Sequence, residues 1–223
     1  MCGRYTITLD PEAVQQGLQL KEMPADWVPR YNVAPSQPVA VVTDPEARSV
    51  RWLKWGLIPF WAKDPAIGNK MINARSETLL EKPAFKAALA RRRCLVIADG
   101  FYEWQKGAGP KGRAQPYLFR CSTGEPFAFA GLWEQWKSPG GEEVQTCTII
   151  TCAANAVVAP VHERMPVMLS GDALWAWLAD GKPDQLVGLL RSFPAERMER
   201  YPVSTLVNRP EIDTPELVQR VVI

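Results

Sequence analysis

The sequence predicts an α+β fold, a single domain over residues 1–223 with a curved, mainly antiparallel β-sheet or open barrel and peripheral helices. Three observations lead there. Short runs of β-branched and aromatic residues recur along the chain. Its twenty prolines and fifteen glycines are dispersed and cut it into short elements. Helical patterns are few, and no repeat, low-complexity tract or linker-like segment divides the chain.

Taken in order, YTITL (5–9) reads as a strand. Asp10-Pro11-Glu12 then starts a helix, with a capping side chain, proline at the first helical position and an early acid. PVAVVT (38–43) and SVRWLKW (49–55) read as strands joined by the turn DPEA. Residues 77–93 have helical character and end in the basic cluster Arg91-Arg92-Arg93. CLVIADGFYEWQK (94–106) is strand-like, and GAGPKG after it reads as a hairpin loop. YLFRCS, FAFAGLWEQW, VQTCTIITC and MPVML continue the β pattern. Ser170 is the expected cap of the helix GDALWAWLAD, and DQLVGLL makes a further helix.

A chain of 223 residues, 47% hydrophobic and 22% charged, belongs to the globular class and is long enough for a sizeable core. No apolar run reaches membrane-spanning length, and no basic stretch followed by an apolar one marks a leader, so the expected location is the cytoplasm. Five cysteines and one histidine give no CxxC spacing and no Cys/His zinc pattern. No metal and no cofactor is expected, and Cys94, Cys121, Cys147 and Cys152 read as small buried apolar residues. The net charge of +2 is unevenly spread. Residues 1–113 carry 17 Lys/Arg against 11 Asp/Glu, which is +6, and residues 114–223 carry 9 against 13, which is −4. A local positive face suited to a polyanion is compatible with that asymmetry, as is an ordinary solvated surface.

Cys2 lies directly behind Met1. If Met1 is removed, an α-amine and a thiol sit on adjacent carbons. A free α-amine has a pKa of about 7.7–8.0, so more of it is neutral near pH 7 than of any ordinary lysine. It attacks an aldehyde to give an imine, and the adjacent thiol closes a five-membered thiazolidine, an intramolecular step favoured by proximity. His162, in APVHERMPV between a loop and a strand, titrates near neutrality and moves protons. Glu103, in FYEW, shares a strand face with Phe101 while Tyr102 and Trp104 face the other way. Beside apolar surface its carboxyl would have a raised pKa suited to proton transfer; on an edge strand it would be an ordinary solvated glutamate. Asn73 and Arg75, in INARSET, either cap a helix or orient a sugar and bind a phosphate. WLKWGLIPFWAK (52–63) interleaves aromatics with Lys54 and Lys63, and a loop exposing Phe60 and Trp61 suits unstacked bases and the phosphates between them.

Together and in this order, MCGR, RYNVAP, WGLIPFW, NARSET, PAF…RRRCL, DGFYEW, AGLW and HERMPV resemble the SRAP family, the SOS-response-associated peptidases or abasic-site processing proteins. The resemblance runs from residue 1 to about 170 and resumes at YPVS…VN (201–208). It implies a protein that binds single-stranded DNA and cross-links itself to abasic sites, shielding the lesion. It implies that Cys2 forms the thiazolidine after loss of Met1, with Asn73, Glu103 and His162 as the other active-site positions. Arg4, Pro35, Phe60, Trp61 and Arg75 match DNA-contacting positions. Phe60-Trp61 stands where some relatives carry two tryptophans. The implied partner is single-stranded DNA containing abasic sites, bound by a cytoplasmic monomer that associates with the nucleoid on damaged DNA.

An abasic deoxyribose equilibrates with an open-chain aldehyde, which a terminal aminothiol captures well. In this reading Glu103 and Asn73 orient Cys2 and the sugar, His162 is a general acid/base, and Arg4 and Arg75 hold flanking phosphates. The imine also permits β-elimination, hence weak lyase activity. Two alternatives stand beside it. One is an N-terminal-nucleophile or cysteine peptidase using Cys2, His162 and Glu103, with removal of Met1 as its minimal reaction. The other is a non-covalent reader of modified DNA bases, whose binding weakens steeply with salt.

Overall fold

A computed structural model describes residues 2–222, the side chain of Pro110 excepted. Thirteen strands and four short α-helices follow one another as β1 (Tyr5–Ile7), α1 (Pro11–Gly17), β2 (Arg30–Val33), β3 (Pro38–Val42), β4 (Arg51–Trp55), β5 (Asn73–Arg75), α2 (Pro83–Arg91), β6 (Arg93–Ala98) and β7 (Gly100–Gln105). They continue with β8 (Gln115–Cys121), β9 (Phe127–Lys137), β10 (Glu143–Ala153), β11 (Arg164–Pro166), β12 (Met168–Leu169), α3 (Asp172–Leu178), α4 (Pro183–Val187) and β13 (Met198–Pro202).

The strands form two sheets. In the larger, β4, β3, β6, β9 and β10 pair in sequence, and β10 pairs back to β4, so the pairings make a ring of five. All but the β4–β10 contact are antiparallel. The expected curved sheet and barrel is therefore present, and one parallel pairing draws it closed. The second sheet has the order β13-β8-β7-β1-β2 and is antiparallel throughout. Tyr5 carries the core between them, with its ring edge-on to Trp55 at 5.4 Å and to Phe129 at 5.6 Å.

The stretch 94–106, read as one strand, is two strands in different sheets. Asp99 is the corner between them. It is buried, and its carboxylate accepts from the Thr6 hydroxyl at 2.6 Å, the Thr8 hydroxyl at 2.7 Å and the Thr8 and Leu9 backbone N–H groups. Its own N–H donates to Thr6 O at 3.0 Å. The corner thus binds β1 to the start of β7. Gly100 allows the close approach, because a Cβ there would lie 2.7 Å from the Thr6 hydroxyl.

Several other boundaries differ from expectation for local reasons. β1 ends at Ile7, where the Asp99 carboxylate takes up the following N–H groups. α1 begins as expected, the Asp10 side chain accepting from Ala13 N–H. Within 77–93 the α-helix starts only at Pro83, preceded by a 3-10 turn at Ser76–Thr78. Ser170 does not cap α3: Gly171 occupies the cap position with φ 57° and no side-chain cap bond forms. MPVML divides into the ends of β11 and β12. Cys94, Cys121, Cys147 and Cys152 are buried, as expected.

The segment after β13 packs beneath the second sheet. Tyr201, Val203, Val207 and Leu217 form a small core with Tyr102 and Leu118. Asn32 Nδ2 donates to the carbonyls of Arg209 at 2.9 Å and Ile212 at 2.6 Å. Among the described residues no helix is long and apolar enough to cross a membrane.

Asp99→Ala is expected to lower stability by about 3 kcal/mol, because it leaves the buried Thr6 hydroxyl and the half-buried donors of Thr8 and Leu9 without their charged acceptor. Urea unfolding followed by circular dichroism checks this; a midpoint equal to wild type would show that the corner contributes nothing.

Candidate active site

Strand register brings the first residues to Glu103. β1 and β7 pair antiparallel with Tyr5 opposite Phe101 and Thr6 opposite Gly100. The ladder continues with Tyr102 N–H donating to Arg4 O at 3.0 Å. Gly3 and Cys2 follow Arg4 toward the same end of β7, where the Glu103 carboxylate is close enough to act on the Cys2 thiol. Glu103 is not on an edge. β7 runs between β1 and β8, and the side chain is 3% exposed on the core side, with Phe101, while Tyr102 and Trp104 pack into the smaller cluster.

A second strand gathers the remaining groups. β10 pairs in parallel with β5, which sets Asn73 opposite Ile149 and Arg75 opposite Thr151. On its other side it pairs with β11, which sets Pro166 opposite Thr151 and Arg164 opposite Ala153. Asn73 and the residues following His162 therefore flank the end of one strand. Asn73 Nδ2 donates to Cys2 O at 2.8 Å. Its Oδ1 is buried and has no hydrogen-bond partner among the described residues.

Burial dominates the electrostatics. Cys2 is fully buried, which pushes its thiol well above the ordinary range, and the nearby Glu103 carboxylate pushes it further. The Arg4 backbone N–H, which hydrogen-bonds the sulfur, acts the other way. Burial also raises the Glu103 carboxyl, while the positive charge available at His162 pulls it back. Cys2, Asn73, Glu103 and His162 are thus brought into one neighbourhood.

His162 is held in a defined tautomer. Its Nδ1 accepts from the Arg164 backbone N–H at 3.0 Å. A backbone N–H can only donate, so the neutral ring carries its proton on Nε2. Arg164 itself was not singled out from the sequence. Its guanidinium makes a bidentate pair with Glu77 at 2.6 and 2.9 Å and donates to Thr151 O at 2.7 Å. That pair holds the Glu77 carboxyl down at about 2. Its position two residues beyond His162, on a strand, was the available signal.

The expected DNA-contacting residues divide into two groups. Phe60 and Trp61 are exposed, by 59% and 51%. Arg75 is exposed and lines a cleft of about 490 Å³ beside Asn73, together with Lys70 and Lys82. Pro35 is half-buried in the turn after β2, where Ser36 has φ 70°. Arg4 is half-buried, and its Nη1 is engaged by Asn32 Oδ1 at 2.7 Å and Val207 O at 2.6 Å. Among the described residues no cluster of His, Cys, Asp or Glu could hold a metal ion. Met1, whose loss the chemistry requires, lies outside the described residues.

Two outcomes follow from this geometry. An acid whose folded pKa lies above its unfolded value costs stability as pH rises through the folded pKa. Glu103→Gln removes that cost, so its Tm should exceed wild type near pH 8 and the difference should shrink toward pH 4. A constant difference across that range would remove burial as the cause. Because His162 is the chain's single histidine, 15N-histidine NMR should show one Nε2–H tautomer near pH 8; an Nδ1–H ring would contradict the Arg164 contact.

The family model for SOS response associated peptidase (SRAP) matches residues 1–210. "Abasic site processing protein YoqW" of Bacillus subtilis (strain 168) is 42% identical, over 98% of this chain and 99% of that protein. "Abasic site processing protein HMCES" of Xenopus tropicalis is 31% identical, over 100% of this chain and 79% of that protein. A crystal structure of a protein from Bacteroides thetaiotaomicron superposes with a TM-score of 0.84 at 25% identity, covering 99% of this chain and all of that one. A motif series carried by one continuous architecture, matched over nearly its full length, means that the chain belongs to the SRAP family.

Proposed function

We propose that this chain processes abasic sites in single-stranded DNA by forming a covalent adduct through Cys2 once Met1 has been removed. The observation that carries the reading is the β1–β7 register, which sets the start of the chain against a buried carboxyl, with Asn73 bonded to the Cys2 carbonyl. The names of the relatives support the substrate.

The α-amine of Cys2 attacks C1′ of the open-chain sugar. The carbinolamine loses water to give an imine. The thiol then adds to the imine carbon, its proton passes to nitrogen, and the thiazolidine closes with one water released in total and no change of oxidation state. Glu103, whose carboxyl burial raises, gives a proton to the departing water and takes one from the thiol. Asn73 holds the Cys2 backbone and offers Oδ1 to the amine or the sugar. His162 presents Nε2–H to a sugar oxygen as a hydrogen-bond donor, so accepting protons falls to Glu103. Arg75 and Arg4 meet flanking phosphates, Pro35 borders the strand, and Phe60 and Trp61 stack bases. Loss of the 2′ proton from the imine gives slow β-elimination, a weak lyase activity. The protein acts as a cytoplasmic monomer that reaches the nucleoid on damaged DNA.

The peptidase reading needs a thiolate to attack an amide, and the buried Cys2 thiol is pushed away from ionising. A non-covalent reader of modified bases would not need a carboxyl and an amide converging on residue 2.

Denaturing gels of processed protein with an oligonucleotide bearing one abasic site test the proposal. Wild type should give a band that survives heating, and Cys2→Ala should give none. Cys2→Ser, which keeps the amine, should give a band only when borohydride reduces the imine. Asn73→Ala should slow the reaction by about a hundredfold through misplacement of the nucleophile. A heat-stable band with Cys2→Ala would overturn the assignment.

A further inference from the structure

We infer that the groove between the C-terminal end of α2 and strand β9 is a second single-stranded DNA subsite, which stacks an unpaired base and holds the phosphates beside it. The inference rests on the proposed function and extends it to DNA beyond the Cys2 pocket.

The groove encloses about 720 Å³, with Phe60, Arg91, Arg92, Trp133 and Lys137 on its walls. Two aromatic side chains face it. Phe60 is mostly exposed, and Trp133 is half-buried, with the Arg51 guanidinium 5.5 Å from its ring centroid. Glu134, the acid in the lining, is buried and paired with Arg92 at 2.9 Å. Arg91 and Lys137 are exposed and make no ion pair among the described residues, so the groove carries a surplus of two positive charges. Aromatic faces beside cations that make no ion pair are what a flexible polyanion with stacking bases requires. An apolar peptide would cover Phe60 and Trp133 but leave Arg91 and Lys137 without partners.

The groove and the cleft beside Asn73 both lie along α2. Ala84 lines that cleft, and Ala87 and Arg91 line the groove. At spacings of three and seven residues these lie on one face of α2. The helical rise puts Ala84 and Arg91 about 10 Å apart along the axis. A strand leaving the lesion reaches Trp133 within a few nucleotides, over small side chains that leave it room.

The test compares wild type with the double variant Arg91→Glu/Lys137→Glu, both positions being exposed and away from Cys2. A short oligonucleotide carries the abasic site with a single nucleotide on either side. Two longer ones add about six nucleotides on the 5′ or the 3′ side, within the site size of a single-strand groove. Both proteins should cross-link the short oligonucleotide at the same rate. Wild type should bind one of the two longer ones more tightly. The variant should lose that gain, with a salt slope shallower by about 1.4, two phosphate contacts at roughly 0.7 each. A fluorescent adenine analogue in that extension should be quenched by wild type. No gain from either extension, an equal gain in the variant, or absence of quenching would each overturn the subsite. Equal weakening on the short oligonucleotide would also overturn it, by reducing the effect to a diffuse field. Failure of wild type to cross-link the short oligonucleotide would instead strike at the abasic-site reading.

Discussion

The site depends on the register of one short strand. β1 has three residues, yet it decides what the first residues of the chain face. Strand side chains alternate with period two, so a slip of one position would take Tyr5 from opposite Phe101 and turn the whole segment over. Hydrophobic pattern alone would not hold so short a strand. Asp99 does, by gathering the hydroxyls of Thr6 and Thr8 and the N–H groups of Thr8 and Leu9 onto one buried carboxylate at the point where β6 turns into β7. The same residue that bends the chain from one sheet into the other therefore helps to fix the start of the chain relative to β7, which carries Glu103.

Burial then does two things with one cause. It raises the Glu103 carboxyl, which suits proton exchange, and it raises the Cys2 thiol, which disfavours a free thiolate. An amine-first route to a ring is compatible with a thiol kept protonated until an electrophilic imine is beside it. β10 supplies the other half of the site, carrying β5 and β11 on opposite edges, so that Asn73 and His162 approach from two sides. The Arg164 N–H contact fixes the tautomer of the neutral His162 ring. The segment after β13, which continues the motif series at YPVS…VN, supports rather than forms the site: Val207 O receives Arg4, and Trp104 donates to Asn208 Oδ1 at 2.7 Å.

Much of this was readable from residues. The Asp10-Pro11 start of α1, the β3–β4 hairpin and the β7–β8 hairpin carry their own local chemistry, and the motif blocks mark Cys2, Asn73, Glu103 and His162. Other features were not, because they are settled by long-range partners. In IADGFYE nothing local distinguishes a strand that continues from one that changes sheet, since the Thr6 and Thr8 groups that satisfy Asp99 lie more than 90 residues away. Whether Glu103 was solvated or buried turned on β1 and β8 flanking β7, which no alternation within FYEW encodes. Ser170 looked like a cap, but Gly171 takes the left-handed conformation ahead of α3. The pairing of Arg164 is not legible in HERMPV, because its partner Glu77 is distant in sequence.

Intact-mass spectrometry of the isolated protein, alone and after reaction with abasic single-stranded DNA, probes the central claim most directly. The account predicts a chain lacking Met1 whose mass rises by that of the oligonucleotide less one water, with the link on residue 2 and neither its amine nor its thiol open to alkylation. A chain that keeps Met1 and still forms the adduct, or a link that leaves the Cys2 thiol free, would contradict it.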